Sequence, residues 1–375
     1  MYLRPGKSRK KRTFWPWLLA VAIVVLVGSY LYGKKEVILE AALGPLPTPA
    51  PTEISAADHL TAADRLFVSG DYDEAIAEYK RATEVDPSLS VAYARWGRIL
   101  ALRHKGDEAV RIAQRAVEIN AESAENQAIY GMTLDWDGQT PAAIAACLKA
   151  IKLDPSFALG YAYLAEAYGD HGRVAEAYEM AEKAVNLEPD NPLVLRNLGY
   201  VYELGGRYED AIDEYEAAIA LNPNMAFIYL DLGRNYRALG DLEEAAYQFE
   251  RATMVDPADP QAYDQLAWTY YAEGLYHMAI SELRNAVKID PSYATAVAHL
   301  GITYYVVRNY EEAIVYLEKA VELGAHSEEY YYTLGFAYAY LNQCDQAVPW
   351  FERALSLDPS CSIAQQGIRY CQDHD

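Results

Sequence analysis

The chain has 375 residues, a formal net charge of −22 and four cysteines. A chain this acidic repels phosphate backbones, so we expect no nucleic-acid partner. The sequence contains no phosphate-binding loop, nucleophile elbow, zinc-protease helix or dinucleotide fingerprint. We therefore predict that the protein is not an enzyme, has no cofactor or metal, and takes no small-molecule substrate.

The chain opens with a basic segment, residues 1–13, which holds six Lys or Arg side chains and no acid. Residues 14–32 then carry no charge at all. At about 1.5 Å per residue, a helix of this length is close to the thickness of a bilayer core. Aromatic rings that favour the membrane interface lie near its two ends: Trp15, Trp17, Tyr30 and Tyr32. This pattern predicts a transmembrane signal-anchor helix over 14–32.

The charges on either side of this span predict its orientation. Two basic residues, Lys34 and Lys35, follow the span, against six before it. Because the more basic flank stays in the cytoplasm, we expect a cytoplasmic N-terminus and an extracytoplasmic remainder, periplasmic or at the cell surface in a bacterium. The combination favours a bacterial origin. A cleaved secretory signal, with a weak cleavage site around Gly28 and Ser29, is the alternative.

Residues 33–55 are a linker rich in Pro and Thr. Between Pro45 and Pro51 every second residue is proline, a pattern that favours extended polyproline II structure. Such a segment is a semi-rigid spacer of about 3.1 Å per residue. We expect it to hold the rest of the chain away from the membrane.

A 34-residue period runs from residue 56 to residue 361. Seven of its nine units carry a proline at position 32: Pro87, Pro155, Pro189, Pro223, Pro257, Pro291 and Pro359. Every unit has Ala at positions 20 and 27 and Gly or Ala at position 8, where small side chains let two helices approach closely. Glycine near position 15 ends a first helix, and the proline ends a second. Each unit is therefore predicted to be helix, tight turn, helix.

These residue types at these spacings resemble the tetratricopeptide repeat (TPR) family. The resemblance implies an all-α, right-handed superhelical solenoid of nine helix-turn-helix units over residues 56–361. Residues 362–375 predict one further helix, whose polar face would cap the last repeat. The family is a scaffold used in many processes, so the resemblance implies a protein or peptide partner without naming it.

In this family, positions 2, 5, 9 and 12 of the first helices line a concave groove. On that mapping the middle repeats contribute Arg98, Arg196, Tyr200, Arg234 and Arg237. The last three repeats contribute Trp268, Tyr271, Ile302, Tyr305, Tyr332 and Phe336. Exposed aromatic and arginine side chains are typical of an interaction site. We expect a peptide partner that is apolar at one end and acidic beside the arginines; tight curvature, with these side chains packed on one another, is the alternative.

The cysteines show no metal-ligand spacing. Cys344 opens the second helix of the last repeat, and Cys371 lies near the end of the capping helix, which should run antiparallel to it. This arrangement predicts a Cys344–Cys371 disulfide in an oxidising compartment, with two reduced thiols as an equally open alternative. Cys147 is at a core position, and the seven histidines are interpreted as solvated or capping residues. His277 and His299 lie in different repeats, with no carboxylate grouping around them.

Two functional hypotheses follow. The first is a membrane-anchored scaffold that binds protein or peptide partners in its groove on the non-cytoplasmic side. The second is a structural accessory subunit of a membrane enzyme, secretion or transport complex whose activity lies in another polypeptide.

Overall fold

The computed structural model describes residues 15–35, 37 and 54–374. Its first helix, α1, covers Trp15–Gly33, and none of its side chains is buried. With a mean hydropathy of 1.9, α1 is the one helix in the described ranges that is long and apolar enough to cross a membrane. The basic segment 1–13 and most of the linker 33–55 lie outside the described residues.

The part of the chain from Ser55 onward is a separate compact unit of nine helix pairs and one final helix, and no strand occurs in the described residues. The first helices of the pairs are α2 (Ala56–Ser69), α4 (Ser90–Leu102), α6 (Ala124–Trp136), α8 (Ala158–Asp170), α10 (Pro192–Leu204), α12 (Ala226–Leu239), α14 (Pro260–Ala272), α16 (Ala294–Val306) and α18 (Glu328–Tyr340). The second helices are α3 (Tyr72–Val85), α5 (Gly106–Ile119), α7 (Thr140–Leu153), α9 (Val174–Leu187), α11 (Tyr208–Leu221), α13 (Leu242–Val255), α15 (Tyr276–Ile289), α17 (Tyr310–Glu322) and α19 (Cys344–Leu357). The final helix is α20 (Ser362–His374). The predicted all-α repeat architecture is confirmed.

Small residues set the packing inside each repeat. The alanines at positions 20 and 27 are fully buried in all nine repeats. At position 8, a Cβ added to Gly233 would lie 2.6 Å from the ring of Phe249, so only hydrogen leaves room for that ring. The small positions therefore act as predicted, by letting the two helices of a pair approach.

The turn between paired helices requires a left-handed residue at position 15. Six repeats use glycine there, for example Gly240 with φ 86°. The second, eighth and ninth repeats use His104, Arg308 and Asn342 at φ 55–61° instead. The helix-turn-helix unit is thus kept even where the glycine signal is missing.

The spacing of the first helices changes along the solenoid. From α4 to α10 each first helix packs closely on the next, whereas beyond α10 successive first helices barely touch. Alanine occupies groove position 5 in the second to fourth repeats, and Ala94, Ala128 and Ala162 are all fully buried between helices. Large side chains take this position in most later repeats, so the first helices lie closest together in the second to fifth repeats and further apart beyond them.

The first two repeats contact repeats that follow much later in the chain. Asn222, after α11, donates from Nδ2 to the carbonyl oxygen of Val68 at 3.2 Å. Arg103, after α4, places Nε 2.9 Å from Asp256 Oδ2 and donates from Nη1 to the carbonyl oxygen of Ala258. The edge of the first two repeats therefore contacts the edge of the fifth and sixth.

Candidate interaction groove

Carboxylates neutralise the arginine at the centre of the groove. Arg196 Nη1 lies 2.6 Å from Glu166 Oε1, and Arg196 Nε lies 2.6 Å from Asp231 Oδ2. All three side chains are at most 7% exposed. Burial alone lowers the pKa of Arg196, but attraction to Asp231 and Glu166 outweighs it and raises the pKa well above its ordinary value. Arg234 also donates to Asp231, at 2.6 Å.

The other two groove arginines are also held by the fold. Arg98 is buried, with its guanidinium 4.3 Å from the centre of the Phe67 ring. Arg237 donates to Gln265 Oε1 at 2.8 Å and lies 5.4 Å from the Phe249 ring. The expectation of an acidic partner segment relied on free guanidinium groups; Arg196 and Arg234 are paired with carboxylates, whereas Arg98 and Arg237 are packed against rings and keep an unpaired nitrogen each.

Residues of the second to seventh repeats line an open cavity of about 350 Å³. Two of its acids are bonded to aromatic donors: Trp136 Nε1 donates to Glu166 Oε1 at 3.0 Å, and the Tyr200 hydroxyl donates to Asp170 Oδ1 at 2.5 Å. Asp135 is only 5% exposed, and neither of its carboxylate oxygens has a hydrogen-bond partner. Burial, helped by Glu166 and Asp170, raises the pKa of Asp135 to about 8, although the Thr140 side chain acts in the opposite direction.

The C-terminal part of the groove has a different character. Five of its predicted residues remain partly exposed, and we call them the aromatic segment: Trp268, Tyr271, Tyr305, Tyr332 and Phe336. Trp268 stacks on Tyr271 with ring centres 4.5 Å apart, and Phe336 packs against Tyr340 at 5.8 Å. The rings therefore pack on one another and still leave surface open to solvent. Ile302, at 3% exposed, belongs to the core instead.

A histidine–aspartate pair supports the aromatic segment. The His299 ring stacks on the Trp268 ring with centres 4.0 Å apart, and His299 Nδ1 lies 2.7 Å from Asp264 Oδ1. The Asp264 side chain is 1% exposed and also accepts from the Tyr293 hydroxyl at 3.3 Å. The interpretation of His299 as a residue without a carboxylate partner is therefore corrected. Asp264 and His299 are 35 residues apart, as are Arg196 and Asp231, and that separation marks contacts between neighbouring first helices.

Acidic side chains flank the aromatic segment. Burial raises the pKa of Tyr332 to about 12, and the nearby carboxylate of Glu329 adds to this rise. Glu328 and Glu329 are both exposed at the start of α18. A partner that reaches the aromatic rings therefore meets negative charge beside them.

A disulfide joins Cys344 on α19 to Cys371 on α20, with Cα atoms 5.3 Å apart. The sequence had left two alternatives open for these cysteines, this disulfide or two reduced thiols. Cys147 and Cys361 are buried and unpaired. The disulfide ties the last helix to the last repeat, so α20 covers the end of the core next to the aromatic segment.

The geometry defines a helical-repeat solenoid with a concave groove, a class that binds other proteins. Family profiles described as tetratricopeptide repeat match residues 60–125 and 163–226, 204–268, and 293–360, which together cover more than half of the chain. The chain belongs to the tetratricopeptide repeat family. A further profile, described as anaphase-promoting complex, cyclosome, subunit 3, matches residues 238–320.

Solved structures with similar folds include other repeat proteins. The crystal structure of the APC/C hetero-tetramer Cut9–Hcn1 is 15% identical, with a TM-score of 0.59 over 84% of this chain and 75% of that one. The human IFIT1 dimer with PPP-AAAA is 18% identical, with a TM-score of 0.55 over 92% and 81%. At these identities the likeness concerns the fold alone. No curated protein sequence matched the chain.

Proposed function

We propose that this protein is a membrane-anchored scaffold that binds a protein or peptide partner at its aromatic segment, on the non-cytoplasmic side of the membrane. The tetratricopeptide fold is a protein-interaction scaffold. One observation carries the choice of surface: five aromatic groove side chains stay partly exposed where the first helices diverge, whereas the groove arginines are paired or packed.

The chemistry of the aromatic segment indicates what it binds. Trp and Tyr side chains in partly buried clusters are the residues that most often dominate binding energy, and one good anchor contributes about 2 kcal/mol. The exposed Glu328 and Glu329 favour positive charge beside the apolar contact. The partner segment is therefore apolar and flanked by Lys or Arg.

The anchor is supported by α1. Its 19 residues carry no charge, its mean hydropathy is 1.9, and none of its side chains is buried. The basic residues before it favour a cytoplasmic N-terminus, which assigns the repeats to the opposite side. A scaffold held there acts on partners at the membrane surface.

The anchor gives a direct prediction. An arginine at the centre of a membrane span raises the free energy of insertion by about 3 kcal/mol. A variant with arginine at both Leu19 and Ile23 should therefore be released from the membrane pellet by alkaline carbonate. The full-length wild type, and the matched variant with alanine at the same two positions, should stay in the pellet. Protease added to the non-cytoplasmic face of closed vesicles should digest the repeats of the wild type. Complete extraction of the wild type, or repeats digested only from the cytoplasmic face, would refute the proposed placement.

A further inference from the structure

We propose that the open cavity lined by the second to seventh repeats binds one organic cation, a primary ammonium or guanidinium group, with Asp135 as its counter-ion. This site is distinct from the aromatic segment. The inference rests on the proposed function only where the cation is taken to be a side chain of the bound partner.

The charges around the cavity are unbalanced. Four carboxylates line it, those of Asp135, Glu166, Asp170 and Asp231, against the two guanidinium groups of Arg196 and Arg234. Arg196 bridges Glu166 and Asp231, Arg234 binds Asp231, and Tyr200 donates to Asp170. Among these four acids, only Asp135 has no partner within hydrogen-bond distance, and the nearby Thr140 hydroxyl only partly offsets the effect of burial on its pKa. Asp135 is therefore the lining acid beside which a cation would bind.

The burial of Asp135 makes its ionised form costly. A buried carboxylate without a hydrogen bond or counter-ion is strongly disfavoured relative to its protonated form. The pKa of Asp135, raised to about 8, reflects that cost. A cation bound next to Asp135 removes the cost and lowers this pKa again, so cation binding at neutral pH is coupled to release of a proton.

The size and walls of the cavity indicate an organic cation. A volume of about 350 Å³ accommodates a lysine or arginine side chain or a small amine. Trp136, Phe227 and Leu230 supply apolar walls for an alkyl stem. Within the described ranges, no group of three or more His, Cys, Asp or Glu side chains is placed to hold a metal ion. The cavity reaches the surface past Asp170 and Gly138, which are exposed.

Calorimetric titration of the full-length protein in detergent tests the proposal. Two probes separate the sources of the cation: n-butylammonium represents a free amine, and the peptide acetyl-Gly-Gly-Lys-Gly-Gly-amide represents a partner side chain. Because the ionised carboxylate is the binding form, affinity for either probe should rise more than tenfold from pH 6 to pH 8.5 and level off above it. Tighter binding of the amine would indicate a free ligand, and tighter binding of the peptide a partner residue; both outcomes support the site.

Variants assign the effect to Asp135. The titratable and charged groups that face Asp135 are His104, Cys147, Glu166, Asp170, Arg196, Tyr200, Asp231 and Arg234. Burial raises the pKa of Glu166 as well, so the pH profile alone does not identify the group. Asp135→Asn should weaken binding more than tenfold and abolish the pH dependence, whereas Asp213→Asn, at an exposed acid on α11, should change neither.

Two results would overturn the proposal: no binding of either probe up to pH 8.5, or equal binding by wild type and Asp135→Asn. Failure here is distinguishable from failure of the proposed function. The variant with alanine at Trp268 and Tyr271 leaves the cavity intact and should keep cation binding. A protein that binds the cation but no partner would refute only the aromatic segment.

Discussion

Replacing Arg196 with alanine is expected to lower the free energy of unfolding of the central repeats by about 3 to 5 kcal/mol. The change leaves the carboxylates of Glu166 and Asp231, each at most 5% exposed, without their shared counter-ion. Removing one partner from a buried ion network is costly because the remaining charges stay desolvated. Because repeat proteins unfold locally, the measurement is hydrogen exchange of the amides in α8, α10 and α12.

The matched control is Arg173→Ala. Arg173 pairs with Glu176 one turn further along α9, and both side chains are more than 40% exposed. Such surface pairs contribute little, so hydrogen exchange in the central repeats should stay unchanged. If Arg173→Ala and Arg196→Ala reduced the hydrogen-exchange protection of the central repeats by similar amounts, the buried network would contribute no more to stability than a surface pair.

Replacing both Trp268 and Tyr271 with alanine is expected to weaken partner binding at least a hundredfold. Two anchors of about 2 kcal/mol each would give more, but neighbouring anchors are not additive. The partner is first identified by crosslinking to the wild-type protein in native membranes, and its affinity for each variant is then measured. Trp268 also stacks on His299, so hydrogen exchange of α14 and α16 must show that the variant keeps its fold.

The control for this prediction is Tyr247→Ala. Tyr247 is 53% exposed on α13, a second helix outside the groove. Loss of an exposed aromatic side chain there should leave binding unchanged. Equal affinity of the wild type and the double variant for the partner would remove the aromatic segment as the binding surface.

The repeat architecture could be predicted from the sequence because it depends on periodic, local signals. Alanine at positions 20 and 27 indicated close helix packing, and the structure buries all of these residues completely. Turns whose glycine is replaced, such as those at His104 and Asn342, were still located by the period. Membrane anchoring by α1 remains a prediction from length and composition.

Whether the groove side chains are paired and buried or free and exposed could not be predicted from the sequence, because it depends on which side chains of neighbouring repeats come into contact. Position alone assigned Arg196 to the groove surface, while its partners lie 30 residues before it and 35 after it. The same separations join Trp136 to Glu166 and Asp264 to His299. Complementary residues 30 or 35 apart on first helices are therefore the signal that could have revealed the pairing.

The most direct test of the central claim is photo-crosslinking from single positions in native membranes. The photoreactive amino acid p-benzoylphenylalanine would replace Tyr305, in the aromatic segment, or Val315, which is 59% exposed on the second helix α17 of the same repeat. We predict that the Tyr305 position forms a discrete crosslink to a partner protein and that the Val315 position does not. A crosslink from Val315 with none from Tyr305 would contradict the account, because the partner would then bind outside the groove.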